Sequence, residues 1–184
     1  ESGKAPVRRL VVDPVEAVQW TLRLPTSGSV DPLLSEQPLS HALAALDTGS
    51  FSTARSLLLS ISADPAASPE IRASAYSLLA MLAVVANQDE QASQYITSAK
   101  EQNAPVALVK IAESYVLQAR GAIEDAERTL SDAGSSAEVS LRRAELLMMA
   151  NKLPEAKAIL EAAPVDGPLA SEANTLRGFI ALQE

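Results

Sequence analysis

The residues of this 184-residue chain that could do chemistry are few and widely spaced. His41 is the single histidine and there is no cysteine, which excludes a histidine-based metal site, a histidine-containing triad and a thiolate nucleophile within this chain. The acidic groups Asp89-Glu90 and Glu124 to Glu127 contain carboxylates of the kind that acid–base catalysis uses. Both lie at or just after predicted inter-helix turns, where acidic side chains favour a helix N-terminus. The sequence therefore predicts no catalytic residue, no metal and no cofactor.

The remaining polar and polarisable residues have structural interpretations. Arg142 stands four residues after Glu138 and three before Glu145, and we interpret these residues together with Arg143 as surface ion pairs at intrahelical spacings of three and four residues. The pair Met148-Met149 could form a soft binding spot, but we expect one of the two to lie in the core. Trp20, the single tryptophan, is expected to anchor the N-terminal segment on the helices.

Composition favours closely packed helices. The chain is 47% hydrophobic but only 3% aromatic, so its core must consist mainly of alanine and aliphatic residues. The formal net charge of −8 argues against nucleic acid as a partner and describes a solvated acidic surface. No apolar run reaches the roughly 20 residues of a transmembrane helix, which predicts no membrane insertion. Because the chain begins without a methionine, we expect it to be a fragment of a longer protein.

Two regions differ in their patterns. Residues 1–32 form a non-repeat segment or linker, in which Val15 to Leu22 fits either a helix or a strand and Pro25, Gly28 and Pro32 mark a loop. From residue 33 to residue 184 apolar residues recur with the helical period. This second region is predicted to contain nine helices separated by glycine, asparagine and proline residues.

A small-residue signature repeats four times in the second region. Each copy has a Gly or Asn turn residue, and the turn residues follow one another about every 34 residues at Gly49, Asn87, Gly121 and Asn151. A small residue stands seven positions before each turn residue. An alanine stands five positions after the turn residue, and an apolar residue stands four positions after that alanine. The small residues are Ala42, Ala80, Ser114 and Ala144; the alanines are Ala54, Ala92, Ala126 and Ala156; the apolar residues are Leu58, Ile96, Leu130 and Leu160.

This signature resembles the tetratricopeptide repeat, whose unit is two helices and a turn of about 34 residues. The resemblance implies an all-α fold: a right-handed superhelix of antiparallel helix pairs, with about four repeats plus one extra helix. The bulky Trp and Tyr of the family's first helix are mostly missing here, and the terminal Pro is displaced. The set is therefore divergent, although its four copies are in register.

Residues 10–25 resemble a segment that follows a FecR-type domain in bacterial envelope proteins with tetratricopeptide repeats. The resemblance rests on Pro14, Pro25 and the run Ala17-Val18-Gln19-Trp20. It implies a periplasmic or cell-envelope location; a cytoplasmic location is the alternative.

The family resemblance also implies a concave groove lined by the first helix of each pair. Carrying the groove positions over by register predicts eleven partner-binding residues: Leu43, Ser77, Met81, Val84, Leu108, Ile111, Tyr115, Gln118, Leu141, Glu145 and Met148. This surface is mostly apolar, and the Lys/Asn/Arg clamp for a peptide carboxylate is missing from these positions. Such a groove suits a helix or an extended apolar segment.

The functional prediction is a non-catalytic protein–protein interaction or scaffolding module of a larger bacterial envelope protein, with a protein or peptide as partner. The alternative is a structural spacer or oligomerisation module whose groove is filled by its own chain. A third possibility, an accessory ligand-binding role, would need a closed polar pocket between the groove and residues 1–32.

Overall fold

The computed structural model describes residues 37–104, 107–162 and 169–182, and in these ranges every regular element is a helix. Three residues separate the two helices of each of the four pairs, so these two helices run antiparallel, and consecutive helices pack against each other. The helices are α1 (Gln37–Asp47), α2 (Phe51–Ala63), α3 (Pro69–Val85), α4 (Asp89–Glu101), α5 (Ala107–Ala119), α6 (Ile123–Ser131), α7 (Ala137–Met149), α8 (Leu153–Ala162) and α9 (Ala170–Ala181). The predicted all-α fold of helix pairs with one extra helix is confirmed. The predictions for residues 1–32 lie outside the described residues.

The four predicted turn residues end the first helix of each pair in the same way. Gly49, Asn87, Gly121 and Asn151 all have the left-handed conformation, with φ values of 71°, 54°, 77° and 57°. In the first turn the N–H of Gly49 donates to the carbonyl of Leu46 at 2.9 Å, and the N–H of residue 50 donates to that of residue 45 at 2.8 Å. The other three turns repeat this pair of bonds, which is the Schellman closure of a helix C-terminus. Glycine and asparagine are therefore required by the backbone conformation.

The signature residues on either side of each turn are buried. The small residues of the first helices and the alanines of the second helices are all completely inaccessible, and the apolar residues that follow are at most 6% exposed. The small position of each first helix and the alanine position of each second helix carry no side chain larger than a hydroxymethyl group. The two helix backbones of a pair can therefore approach closely.

The pairs stack through their first helices. α3 contacts α5, α5 contacts α7, and α7 contacts α9, in addition to the contacts between consecutive helices. Each first helix from α3 onward buries one face with a spacing of three and then four residues, and Val139 and Leu146 on this face of α7 pack with α6 of the preceding pair. The buried faces are Ala75, Leu78 and Leu82; Val109, Ala112 and Val116; Val139, Arg142 and Leu146; Ala173, Leu176 and Ile180.

Buried residues form one large and two smaller clusters. The largest cluster runs from α1 to α5, one small cluster joins α6 to α7, and the other joins α7, α8 and α9. Alanine, leucine and isoleucine supply most of the buried side chains, as the low aromatic content predicts. Within the described ranges the core is therefore divided into three clusters, and the largest of them lies in the N-terminal half of the stack.

Serine residues cap the first helices of the second and fourth pairs. The hydroxyls of Ser68 and Ser136 accept hydrogen bonds from the N–H groups three residues on, each at 3.3 Å. Hydrogen bonds from its own backbone and from the Ser68 hydroxyl hold the pKa of Glu70 below its ordinary value. Ser50 stands at the N-cap position of α2, but its hydroxyl accepts from the Thr48 hydroxyl at 3.2 Å instead of capping the helix.

Candidate functional site

The predicted groove residues divide into two sets according to their burial. Six of them are packed in the core, at most 4% exposed, because the alanine-rich helices approach so closely that these side chains are enclosed between helices. These six are Leu43, Ser77, Met81, Leu108, Tyr115 and Leu141. Their contribution to a partner surface is therefore limited to shaping it from below.

The other five predicted groove residues are partly exposed: Val84, Ile111, Gln118, Glu145 and Met148. They lie on α3, α5 and α7, which contact one another in series. We call these five residues the first-helix strip. It contains three apolar side chains, one amide and one carboxylate, and it remains a predicted binding surface.

A buried arginine lies directly beneath the strip. Arg142 of α7 is only 4% exposed, and its guanidinium carbon lies 3.6 Å from the centroid of the Tyr115 ring on α5. A guanidinium in this position is stabilised by the electron-rich face of the ring. The sequence prediction had placed Arg142 in a surface ion pair, which is wrong as regards its exposure.

Every nitrogen of the Arg142 guanidinium has a partner. Nε donates to the Ser114 hydroxyl at 2.9 Å, Nη1 donates to Glu145 Oε2 at 3.1 Å, and Nη2 donates to the side-chain oxygen of Gln118. The Ser114 hydroxyl in turn donates to the carbonyl of Ile111 at 2.6 Å. The buried charge is thus paired and fully hydrogen-bonded, which is the condition for tolerating it in a core. We call Arg142, Ser114, Tyr115, Gln118 and Glu145 the arginine cluster.

The arginine cluster joins the third and fourth pairs and includes two residues of the first-helix strip. Gln118 and Glu145 are held from below by Arg142 and are partly exposed above it. Since Glu145 is paired with Arg142, its carboxylate is already compensated inside the chain. What the arrangement offers a partner is a fixed set of acceptor oxygens beside apolar side chains.

One feature of the sequence could have revealed the arginine cluster. Of the four small positions in the first helices, three are alanine and only Ser114 carries a hydroxyl. A hydroxyl at a completely buried position needs a hydrogen-bonding partner. The hydroxyl donates within its own helix, and its oxygen is also able to accept from a side chain of the neighbouring first helix, where Arg142 stands.

Arg143 also pairs differently from the prediction. Its Nη2 and Nε lie 2.6 Å and 3.0 Å from Glu127 Oε1, so it joins α7 to α6 of the preceding pair. Glu138, which the sequence grouped with Arg142, Arg143 and Glu145 as intrahelical pairs, instead has one buried carboxylate oxygen without a hydrogen bond. The link between Arg143 and Glu127 crosses the boundary between two units, as the arginine cluster does.

The other candidate chemical residues lie apart. His41 is exposed on α1, while Asp89-Glu90 and Glu124-Asp125 are exposed in the first turns of α4 and α6. A shallow cleft between α6 and the end of α7 is lined by Glu124, Glu127, Arg128 and Lys152 among apolar residues, with neither histidine nor cysteine. In the described ranges no three histidine, cysteine or acidic residues come together in a way that could hold a metal ion.

Met148 and Met149 divide as expected, because Met148 packs on the buried cluster of α7 to α9 and Met149 is 54% exposed. Among the described helices, none combines the length and the apolar character that crossing a bilayer requires.

Antiparallel helix pairs, stacked through their first helices and closed by identical turns, define a helical repeat protein. A family model described as "Tetratricopeptide repeat" matches residues 115–178, from the third pair to α9. The chain is therefore a tetratricopeptide-like helical repeat protein. No curated protein and no solved structure matches it.

Proposed function

We propose that the chain is a non-catalytic interaction module that holds a helical or extended apolar segment of a partner protein on the first-helix strip. The observation that carries this proposal is the series of contacts from α3 to α5 to α7, which brings the strip residues of successive units next to one another. Tetratricopeptide repeats in general mediate contacts between proteins, and the family match supports this class of function.

The chemistry of the strip indicates the kind of segment that would fit. Val84, Ile111 and Met148 offer apolar contact, and the polarisable thioether of Met148 adapts to different partner side chains. Gln118 and Glu145 add polar atoms to the strip, and Arg142 holds both side chains in place from below. The formal net charge of −8 would favour encounter with a basic partner.

The experiment compares capture of partners from a bacterial envelope extract by the wild-type chain, by a Val84→Gln/Met148→Gln variant and by a Leu59→Gln control. Leu59 is a matched control because it is apolar and 42% exposed but lies on the second helix α2. We expect a partner that the control retains and the strip variant loses. A partner retained by all three proteins, or lost equally by both variants, would contradict the proposal.

The proposed envelope location rests on the resemblance of residues 10–25 to a segment that follows FecR-type domains. A version of the chain lacking residues 1–32 belongs in the same capture experiment. A partner bound only by the shortened version would mean that the N-terminal segment competes for the strip.

A structural spacer is the second candidate function, and the burial of six predicted groove residues favours it. In that case the first helices serve mainly to hold the stack together. Failure of both the full and the shortened chain to capture any partner would favour this second function.

A further inference from the structure

One pair of positions recurs at the boundaries between successive units. The first position lies on the second helix of a unit, six residues after the turn residue. The other lies at the end of the first helix of the next unit, one residue before the turn residue. At the first three boundaries these pairs are Arg55 and Ala86, Ser93 and Arg120, and Glu127 and Ala150. Arginine therefore holds one of the two positions at the first and second boundaries, whereas the third boundary has a glutamate and an alanine.

The two arginines connect neighbouring units. Arg55 of α2 donates from Nη2 to the side-chain oxygen of Gln91 on α4 at 3.2 Å. Arg120, the residue that follows α5, donates from Nη2 to the hydroxyl of Ser93 on α4. A side chain of this kind carries its charge on a long apolar stem, so it can cover apolar surface and reach a polar group beyond it.

The third boundary has a cleft at the equivalent place. Ala150 and Glu127 both line this cleft, which lies between α6 and the end of α7 and has a volume of about 220 Å³. Ile123, Leu146 and Leu147 supply its apolar walls. Pockets for drug-sized molecules are larger, roughly 300–1,000 Å³. The cleft therefore suits a single side chain.

The carboxylate of Glu127 can accept further hydrogen bonds in this cleft. Arg143 donates to Oε1 at 2.6 Å and 3.0 Å, and Oε2 receives no hydrogen bond from the described residues. Glu124 places a second carboxylate at the cleft. Of the two cationic residues there, Arg128 is already paired within α6 and Lys152 is exposed. Carboxylate oxygens beside apolar walls fit a cation on an apolar stem.

We propose that the cleft at the third boundary binds an arginine side chain of a partner protein, at the place that the chain's own arginines hold at the first two boundaries. The bound guanidinium donates to Glu127 Oε2, and its methylene groups lie along Ile123 and Leu147. Arginine suits the site better than lysine because its planar group presents several donors at once. The formal net charge of −8 favours the approach of a basic segment. This site shares no residue with the first-helix strip.

A titration with a blocked tripeptide, acetyl-Ala-Arg-Ala-amide, tests the site. Changes in amide chemical shifts are the readout, because a single side chain binds weakly. The matched ligand carries citrulline, which has the shape of arginine without its charge. We expect saturable shifts at Ile123, Glu127 and Ala150 with the arginine peptide and about tenfold weaker binding of the citrulline peptide.

Three outcomes of this titration would overturn the proposal. They are equal binding of the two peptides, no binding of the arginine peptide, and preferential binding of acetyl-Ala-Glu-Ala-amide. In the last case Lys152 and Arg128 would recognise an anion.

Ala150→Arg supplies the missing arginine from within the chain. We expect it to weaken binding of the arginine peptide by about tenfold or more, since an intramolecular side chain competes at a high effective concentration. We also expect it to raise the melting temperature by about 2–4 °C. A variant that binds the peptide as well as the wild type does would contradict the proposed site.

Ala86→Arg is the matched control. Ala86 and Ala150 end their helices with the same backbone angles, φ −80° and ψ 5°, but the position paired with Ala86 holds Arg55. Because two like charges would meet there, Ala86→Arg should not raise the melting temperature, and it should leave peptide binding unchanged. Equal increases in melting temperature for the two variants would show that Glu127 is not the cause.

The strip variant Val84→Gln/Met148→Gln separates this site from the first-helix strip. It should bind the arginine peptide as the wild type does, whether or not the strip binds a partner. Loss of peptide binding in this variant would place the arginine site on the strip and overturn the proposal.

Discussion

Two buried serines on α3 have hydroxyl groups in opposite situations. Both are completely inaccessible, but the Ser77 hydroxyl donates to the carbonyl of Ala73 at 2.7 Å, whereas the Ser74 hydroxyl has no hydrogen-bonding partner. Burying a hydroxyl without a partner costs about 1–3 kcal/mol. Ser74 therefore marks a position where the chain gives up stability.

Ser74→Ala should raise the free energy of unfolding by about 1 kcal/mol or more, since it removes an unsatisfied group and alanine also favours the helix. Ser77→Ala is the matched control, because there the gain in helix propensity is offset by the loss of a hydrogen bond. Urea denaturation followed by circular dichroism measures both. Equal changes in the two variants would show that the Ser74 hydroxyl is satisfied in solution.

Among the charged residues, Arg142 is the one whose replacement should lower the free energy of unfolding most. Arg142→Met should lower the free energy of unfolding by about 3 kcal/mol, because Glu145 and the Ser114 hydroxyl lose their partner in a largely buried site. Arg128→Met is the control, since the pair between Arg128 and Asp125 is exposed and contributes about 0–1 kcal/mol. A stability loss for Arg142→Met as small as that of the control would mean that the arginine cluster is not formed in solution.

At the scale of helices and turns, the left-handed turn residues make a sharp prediction about glycine. Gly121→Ala should destabilise the third pair by about 1–2 kcal/mol, because an L-residue at φ 77° is strained although its Cβ has open space. Gly178→Ala tests the opposite case, since this helical glycine has neither a positive φ nor a close neighbour. It should stabilise the chain by about 0.5–1 kcal/mol. Thermal melting distinguishes the two signs, and a loss for both would contradict the backbone assignment.

The contact between the helices of one pair predicts a strong effect at its alanines. Ala92→Arg should destabilise the second pair by about 3 kcal/mol or more, because a long charged side chain cannot fit where two helices touch. Gln94→Arg, two residues away on the exposed side of α4, should change stability by less than about 0.5 kcal/mol. Comparable melting temperatures for the two variants would show that the repeat register is wrong.

The sequence predicted these elements well because their causes are local. The left-handed backbone conformation at positions 49, 87, 121 and 151 favours glycine or asparagine, and a close helix contact requires alanine. Both features can therefore be recognised from the residue type alone. The apolar periodicity added the buried face of each helix. Burial of the groove residues Met81 and Tyr115 was not foreseen, because the family register states which helix face a residue lies on but not how closely the next helix approaches.

The arginine cluster escaped prediction for a different reason. Its charged member and its hydroxyl member, Arg142 and Ser114, are 28 residues apart in the sequence. Spacings of three and four residues predicted ion pairs within α7, and such spacings carry no information about a partner from another unit. Long-range polar contacts of this kind depend on how two units stack. The only local sign of this stacking in the sequence is that Ser114 stands where the other three first helices have alanine.

At the scale of the whole molecule, the two ends of the stack differ in chemistry. In α1 the face that would meet a preceding unit shows Ser40, partly exposed, and Ala44, exposed. At the other end, the exposed large apolar residues of and next to α9 are Phe179 and Leu182. Small and polar residues leave little apolar area on this face of α1, whereas an exposed phenylalanine and leucine favour further packing.

The uneven core predicts how the stack loses structure. Because each unit touches mainly its neighbours, stability should be graded along the chain, highest in α3 to α5 within the large cluster and lowest in α9. Amide exchange followed by mass spectrometry should show this order in the wild-type chain.

Ala156→Arg disrupts the contact of α7 with α8, which belongs to the small cluster of α7 to α9. It should abolish protection from α7 to α9 and leave α3 and α4 protected, with Gln94→Arg as the control that changes neither region. If Ala156→Arg removed protection uniformly from all helices, the chain would unfold as one cooperative unit, and the stepwise stacking of units could not be the main source of its stability.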